Sequence, residues 1–158
     1  MEALHCAKSC SVLWECRPVS FEFHLTVHAK PDREFNVREI EFAGVAHQTL
    51  DVTTVELDSP IPISFEEAME KLEQLPCMLF ELDGSFVWAI HEPEQRFQVD
   101  GHLFDRHGKL VYVELHGNCR WSSFLELLKC LGSEETEFVY QLVREGVIVS
   151  HDVLADMW

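Results

Sequence analysis

Two carboxylates and two imidazoles fall at alternate positions on either side of a glycine-containing turn in the stretch VDGHLFDRHGKLVYVELHG, residues 99–117. They belong to Asp100, His102, Glu114 and His116. Carboxylate and imidazole groups bind divalent metal ions and transfer protons near neutral pH. Two runs of alternating apolar and polar residues flank a glycine-containing turn, which predicts a β-hairpin with all four groups on one face.

The turn DRHGK sets the predicted register of this hairpin. A type I turn followed by a G1 bulge would place Gly108 in the left-handed conformation and pair Asp105 with Lys109. In that register Asp100 lies directly opposite Glu114, where like charges repel across about 5 Å. A bound cation, a protonated imidazole or exposure to water would each offset the repulsion.

One metal ion cannot bind all four groups in this register. His102 and His116 are separated by four residues along the strands, or roughly 13 Å at 3.3 Å per residue, whereas a zinc–nitrogen bond is about 2.1 Å long. A site of Asp100, Glu114 and one of the two histidines stays open as an alternative. The sequence favours the other interpretation, a polar sheet face in contact with water.

The other end of the same face is apolar. Alternation along the strands directs Phe104, Leu110 and Tyr112 away from the core, and the preceding strands add Leu79, Val87 and Ala89. An apolar area of this kind is expected to be covered. Either the strands before residue 58 fold over it as a second layer, which the sequence favours, or another chain binds there.

Four strands between about residues 77 and 116 form an antiparallel meander in this interpretation. The turn ELDGS pairs Phe80 with Phe86, and the loop EPEQ pairs Trp88 with Val99. The three turns agree on a single apolar face, as a correct register should.

Helices are predicted both before and after the meander in the sequence. Ser64 is the N-cap of the first, and Pro76 ends it. Apolar stripes predict a second helix over residues 121–131 and a third over residues 133–145. The last residues, 147–158, are expected to form a short strand and a helical turn.

In the N-terminal third, the spacing of apolar residues predicts an amphipathic helix over residues 3–14, and strict alternation predicts a half-buried strand over residues 20–29. Further strands are expected at residues 37–43 and 49–57. Together these elements define an α+β class, with an antiparallel meander, helices on its core face, an N-terminal helix and additional antiparallel strands. The prediction is one domain over residues 1–158, with a possible division near residues 58–63.

Charge and composition restrict the function classes. The 158 residues include 12 Lys plus Arg and 28 Asp plus Glu, for a formal net charge of −16. Such a charge opposes binding to nucleic acid or to an anionic membrane and favours basic partners. Six cysteines without a secretory signal predict reduced thiols and a cytoplasmic location. Phosphate-binding loops and zinc-protease motifs are absent from the sequence, and no cofactor is predicted.

The leading hypothesis is a non-enzymatic binding protein that contacts a protein partner or a second copy of itself. Its working surface would be the outer face of the meander, with Phe104, Leu110 and Tyr112 as apolar contacts and Asp100 and Glu114 as a charged edge. The alternative is a small-ligand or metal-binding protein, with enzymatic activity open, whose site lies at Asp100, Glu114 and His116 or His102. The alternative requires these groups to converge in a concave pocket.

Overall fold

The computed structural model describes residues 20–158. The helix predicted over residues 3–14 lies outside this range. The strands are β1 Phe21–Ala29, β2 Val37–Phe42, β3 Val45–Leu50, β4 Met78–Phe80, β5 Ser85–Ile90, β6 Phe97–Arg106, β7 Lys109–Cys119, β8 Phe138–Leu142 and β9 Val147–Ser150. The α-helices are α1 Phe65–Glu73, α2 Trp121–Cys130 and α3 His151–Met157, and a 3-10 helix spans Glu56–Asp58.

Seven strands form one antiparallel sheet in the order β4-β5-β6-β7-β1-β8-β9, and β2 and β3 form a separate hairpin. The α+β class and the four-strand meander are therefore confirmed. Strand β1 is an interior strand of the sheet, where Leu25 pairs with Leu115 of β7 and with Leu142 of β8. The predicted pairs of the first three meander strands are also confirmed, since Phe80 pairs with Phe86 and Trp88 with Val99.

The core lies between one face of this sheet and the three helices. Each strand turns alternate side chains toward the helices, so that Leu25 and Val113 are fully buried beside Phe124 of α2. Trp88 is also buried, and its indole nitrogen donates a hydrogen bond of 2.9 Å to the carbonyl oxygen of Pro76. This bond satisfies the one polar atom of the side chain, which is what burial of tryptophan requires.

Two elements differ from the sequence prediction. Residues 138–142 form strand β8, so the helix predicted over residues 133–145 is wrong. Val139 and Tyr140 are both buried although they point to opposite faces, and a strand buried on both faces lacks the alternation that distinguishes it from a helix. Strand β3 covers residues 45–50, whereas a strand was expected at residues 49–57.

The strands before residue 58 also lie elsewhere than expected. Strand β1 joins the sheet as a member and does not cover it. The hairpin of β2 and β3 and the segment after it cover only the end formed by β8 and β9, where Leu57 is buried with Val139 and Ile148. On the meander, most of the face turned away from the helices is not covered by a second layer of the described residues.

Segments on both sides of residues 58–63 contribute to one core, since Phe23 of β1 and Leu103 of β6 belong to the same buried cluster. The assignment of one domain to residues 1–158 stays a prediction, because its first 19 residues lie outside the described range. Within that range no helix has both the length and the apolar character needed to cross a membrane.

Candidate functional site

The face of the sheet turned away from α1, α2 and α3, here called the outer face, carries the predicted site residues. Asp100 pairs with His116, and His102 pairs with Glu114. The predicted pairing of Asp100 with Glu114 is therefore wrong. Each carboxylate has an imidazole as its cross-strand neighbour, and a pair of this kind is favourable when the imidazole is protonated.

The geometry of the turn between β6 and β7 explains this difference. His107 and Gly108 both have positive φ, 55° and 76°, as in a two-residue type I′ turn. Arg106 therefore pairs with Lys109. A bulge follows and leaves Val111 without a partner on β6. The register moves by two positions, so the outward-facing residues from Tyr112 onward keep their predicted face.

Leu110 does not share that face. It precedes the bulge, is fully buried and belongs to the main core. Its carbonyl oxygen accepts a hydrogen bond of 2.8 Å from the backbone of Ile61, and its own N–H donates to Ile63. The prediction that Leu110 is an outward apolar contact is therefore wrong, because the bulge turns it toward the segment that precedes α1.

Four neighbouring rings cross β6, β7 and β1 on the outer face, and we call them the aromatic row; the His102 ring is tilted against that of Phe104, and the other two contacts are stacked. Phe104 stacks on Tyr112 with ring centroids 4.4 Å apart, and the His102 ring lies 4.4 Å from Phe104. His28 stacks on the other side of Tyr112 at 5.4 Å. His28 is buried, whereas His102, Phe104 and Tyr112 are partly exposed.

Asp100 and Glu114 lie beside the aromatic row. The Glu114 carboxylate accepts a hydrogen bond of 2.7 Å from His24 Nε2, and the His24 ring lies 5.2 Å from that of His116. Asp100 accepts a hydrogen bond of 3.0 Å from Gln98. Partial burial of the phenol, and secondarily the charge of Glu114, raise the pKa of Tyr112.

Lysine and arginine on this part of the outer face are confined to the turn between β6 and β7. Strand alternation and the observed pairing place Ser85, Val87, Ala89, Gln98, Asp100, His102, Phe104, Tyr112, Glu114, His116 and Asn118 on it. None of these positions is Lys or Arg; by the same alternation Arg106 and its cross-strand partner Lys109 also point outward, at the turn end of β6 and β7, where Arg106 forms an ion pair of 2.7 Å with Asp58. The apolar end continues to the sheet edge, where Leu79 of β4 is 71% exposed.

The four predicted metal-ligating residues share the outer face, but they do not form a metal centre. Within residues 20–158, no group of three or more His, Cys, Asp or Glu side chains is arranged to hold a metal ion. Asp100 and Glu114 are each engaged by a different neighbour, Gln98 and His24.

A second feature was not predicted from the sequence. A cleft of about 890 Å³ lies where three chain connections meet: residues 30–35, residues 133–137, and the junction of β9 with α3. Its lining comes from segments far apart in the chain, with α2 and β3 also contributing. Only the long-range packing brings these segments together, so no local pattern indicates the cleft.

No family model, curated protein or solved structure matches this chain. The outer face and the cleft are therefore the two features whose chemistry indicates a function.

Proposed function

We propose that this chain is a non-enzymatic binding protein that holds a basic protein partner against the outer face of β6 and β7. The observation that carries the proposal is the stacked pair Phe104 and Tyr112, partly exposed and bordered by Asp100 and Glu114. The described chain leaves both side chains partly exposed at these outward positions. Partly exposed aromatic residues beside charged groups are typical of interaction surfaces.

The chemistry of this surface fits a segment that carries arginine or lysine together with apolar residues. Both faces of the Tyr112 ring are occupied, by Phe104 and His28, so apolar side chains of the segment would pack on the exposed edges of the rings. The carboxylates of Asp100 and Glu114 can accept charge-assisted hydrogen bonds from the cations of the segment. The formal net charge of −16 adds long-range attraction for a basic partner.

A second copy of the chain fits this surface less well. In a symmetric dimer the same patch is present on both subunits, so one interface would contain the carboxylates of Asp100 and Glu114 from both copies. Like charges placed across an interface disfavour association. We therefore expect a hetero-complex in place of the homodimer. The cytoplasmic location stays a prediction from the sequence.

Selection from a random peptide library displayed on phage, with the full chain as target, tests the proposal. We expect the selected peptides to be rich in Arg or Lys alternating with apolar residues. Their affinity should fall with rising salt concentration, because screening weakens the ionic part of the contact. It should fall by about tenfold or more in the double variant Phe104→Ser, Tyr112→Ser, since the central aromatic residues dominate an interface of this kind.

The β2 and β3 hairpin provides a matched control. Val37 and Val45 are exposed apolar residues away from the aromatic row, at 53% and 55% exposure. The double variant Val37→Ser, Val45→Ser should leave the affinity unchanged. Selected peptides without basic residues, or equal binding to the Phe104 and Tyr112 variant, would contradict the proposal.

A further inference from the structure

The cleft described above lies at one end of the sheet and is separate from the aromatic row. Its volume of about 890 Å³ is within the range typical of small-molecule sites. The three connections that surround it are positioned by β1, α2, β8 and β9, and binding residues are commonly found on loops held by a rigid scaffold.

The cleft has an apolar floor formed by both layers of the fold. Leu128 of α2 is part of the main core, whereas Val139 of β8 is part of the small cluster under the hairpin. Leu50 of β3, Leu125 of α2 and Phe138 of β8 complete the floor. The floor can therefore contact the apolar part of a ligand.

The charges around the cleft divide into paired and unpaired groups. Lys30 forms an ion pair of 2.7 Å with Glu137. Arg33 forms an ion pair with Glu56, and its guanidinium lies over the Phe35 ring, 4.4 Å from the centroid. These two cations of the lining are therefore already engaged.

The remaining charges of the lining are Lys129 and the carboxylates of Glu34, Glu134 and Asp152. None of them forms an ion pair with another residue in the range 20–158. Three carboxylates against one ammonium leave an excess of two negative charges around an apolar floor. A ligand complementary to this arrangement is apolar and positively charged.

We propose that the cleft is a binding site for a small organic cation, an amine with an aromatic or branched aliphatic body. The body contacts the floor, and the ammonium group lies among the unpaired carboxylates. The negative charge of the whole chain favours the same ligand class over a carboxylate of equal size.

Three probes with the same apolar body separate the contribution of charge from that of the floor. These are 2-phenylethylamine, 2-phenylethanol and 3-phenylpropionate, titrated into the full, isotopically labelled chain and followed by NMR. We expect the amine to bind most tightly and the carboxylate most weakly, with shift changes at residues 125–139 and 150–152. Equal affinity for the three probes, preference for the carboxylate, no binding of the amine, or shift changes elsewhere would each overturn the proposal.

Neutral variants test the role of the carboxylates. Glu34→Gln combined with Glu134→Gln should weaken amine binding by about threefold or more, in line with exposed ionic contacts. The affinity for 2-phenylethanol should not change, since that probe has no charge. Glu66→Gln combined with Glu70→Gln, on the exposed side of α1, is the matched control and should leave both affinities unchanged. An equal effect of the two double variants on amine binding would overturn the assignment of the ammonium position.

Discussion

The outer face of the sheet has two halves, and only one of them is covered by other segments of the chain. Over β8 and β9, the hairpin and the segment after it cover the sheet, and Leu57, Val139 and Ile148 form a small buried cluster. Over β4 to β7, the described chain provides no such layer, and Leu79 is largely exposed. The first half is explained by packing within the chain. The second half leaves three rings of the aromatic row partly exposed, which is why we propose the interaction surface there.

His28 marks the boundary between the two halves. It is the member of the aromatic row that the chain buries, and both of its ring nitrogens are engaged: Nδ1 donates to the carbonyl oxygen of Leu57 at 3.3 Å, and Nε2 accepts from the hydroxyl of Thr26 at 2.7 Å. The neighbouring ring in the row, that of Tyr112, is partly exposed. The aromatic row therefore begins at the buried His28 and continues to side chains that a partner could contact.

The largest expected difference between the halves comes from a matched pair of leucine substitutions. Leu57→Ala removes a buried side chain and should lower the free energy of unfolding by about 2–3 kcal/mol, the low end for such sites because its cluster is small. Leu79→Ala removes an exposed side chain and should change it by less than about 0.5 kcal/mol. Urea denaturation of the two variants measures both values. Similar losses in the two variants would contradict the contrast between the halves.

Gly101 tests how tightly the core face of β6 is packed, in contrast to its partly exposed outer face. Gly101 lies opposite Phe86, and a Cβ at this position would overlap the Phe86 ring. Gly101→Ala should therefore cost about 1–3 kcal/mol of unfolding free energy, as overpacking does. Adding Phe86→Leu to Gly101→Ala should cost less than the sum of the two single changes. Strict additivity in a double-mutant cycle would show that Gly101 does not face Phe86.

The smallest expected effect is a pH dependence at the boundary between the halves. Burial lowers the pKa of His28, and the hydrogen bond to Leu57 opposes this only in part. Below the unfolded-state pKa, near 6.5 for histidine, the unfolded chain binds a proton at His28 more readily than the folded chain. The stability associated with neutral His28 is therefore present at pH 7 and above, and it is lost as the pH falls below about 6.5.

Comparison of variants isolates this contribution. His28→Asn retains a donor near the position of Nδ1 but does not titrate, so unfolding free energies measured between about pH 7 and pH 5 should fall less steeply than in the original chain. His107→Asn, at an exposed turn position with positive φ that asparagine tolerates, should retain the original slope. If unfolding free energy depended on pH equally steeply in His28→Asn and in the original chain, His28 would not be the source of the pH dependence.

Local chemistry explains which parts of the fold the sequence could predict. Ser64 caps α1 by accepting a hydrogen bond from the N–H of Glu67, as the spacing of the two residues indicates. The turn before β5 forms as predicted, since the N–H of Glu81 donates to the carbonyl oxygen of Ser85 at 2.8 Å and Gly84 has a φ of 96°. In each case the residues that determine the structure are adjacent in the chain.

The unpredicted features depend on conformations or contacts that local patterns do not specify. His107 adopts a positive φ, which is uncommon for a residue other than glycine. The resulting two-residue turn, with the bulge after it, shifts the pairing of β6 with β7 by two positions. Strand β8 is stabilised by pairing with β1, more than 100 residues earlier in the chain. Of the predicted surface, Phe104, Tyr112, Asp100 and Glu114 lie on the outer face, whereas the bulge moves Leu110 into the core.

Mapping of a bound peptide tests the central claim most directly. A basic and apolar peptide from the display selection would be titrated into the labelled full chain while amide chemical shifts are recorded. We expect the largest changes at residues 98–104 and 112–116, and we expect the double variant Phe104→Ser, Tyr112→Ser to abolish them. Largest changes on the β2 and β3 hairpin, on the helices or at the cleft would contradict the claim.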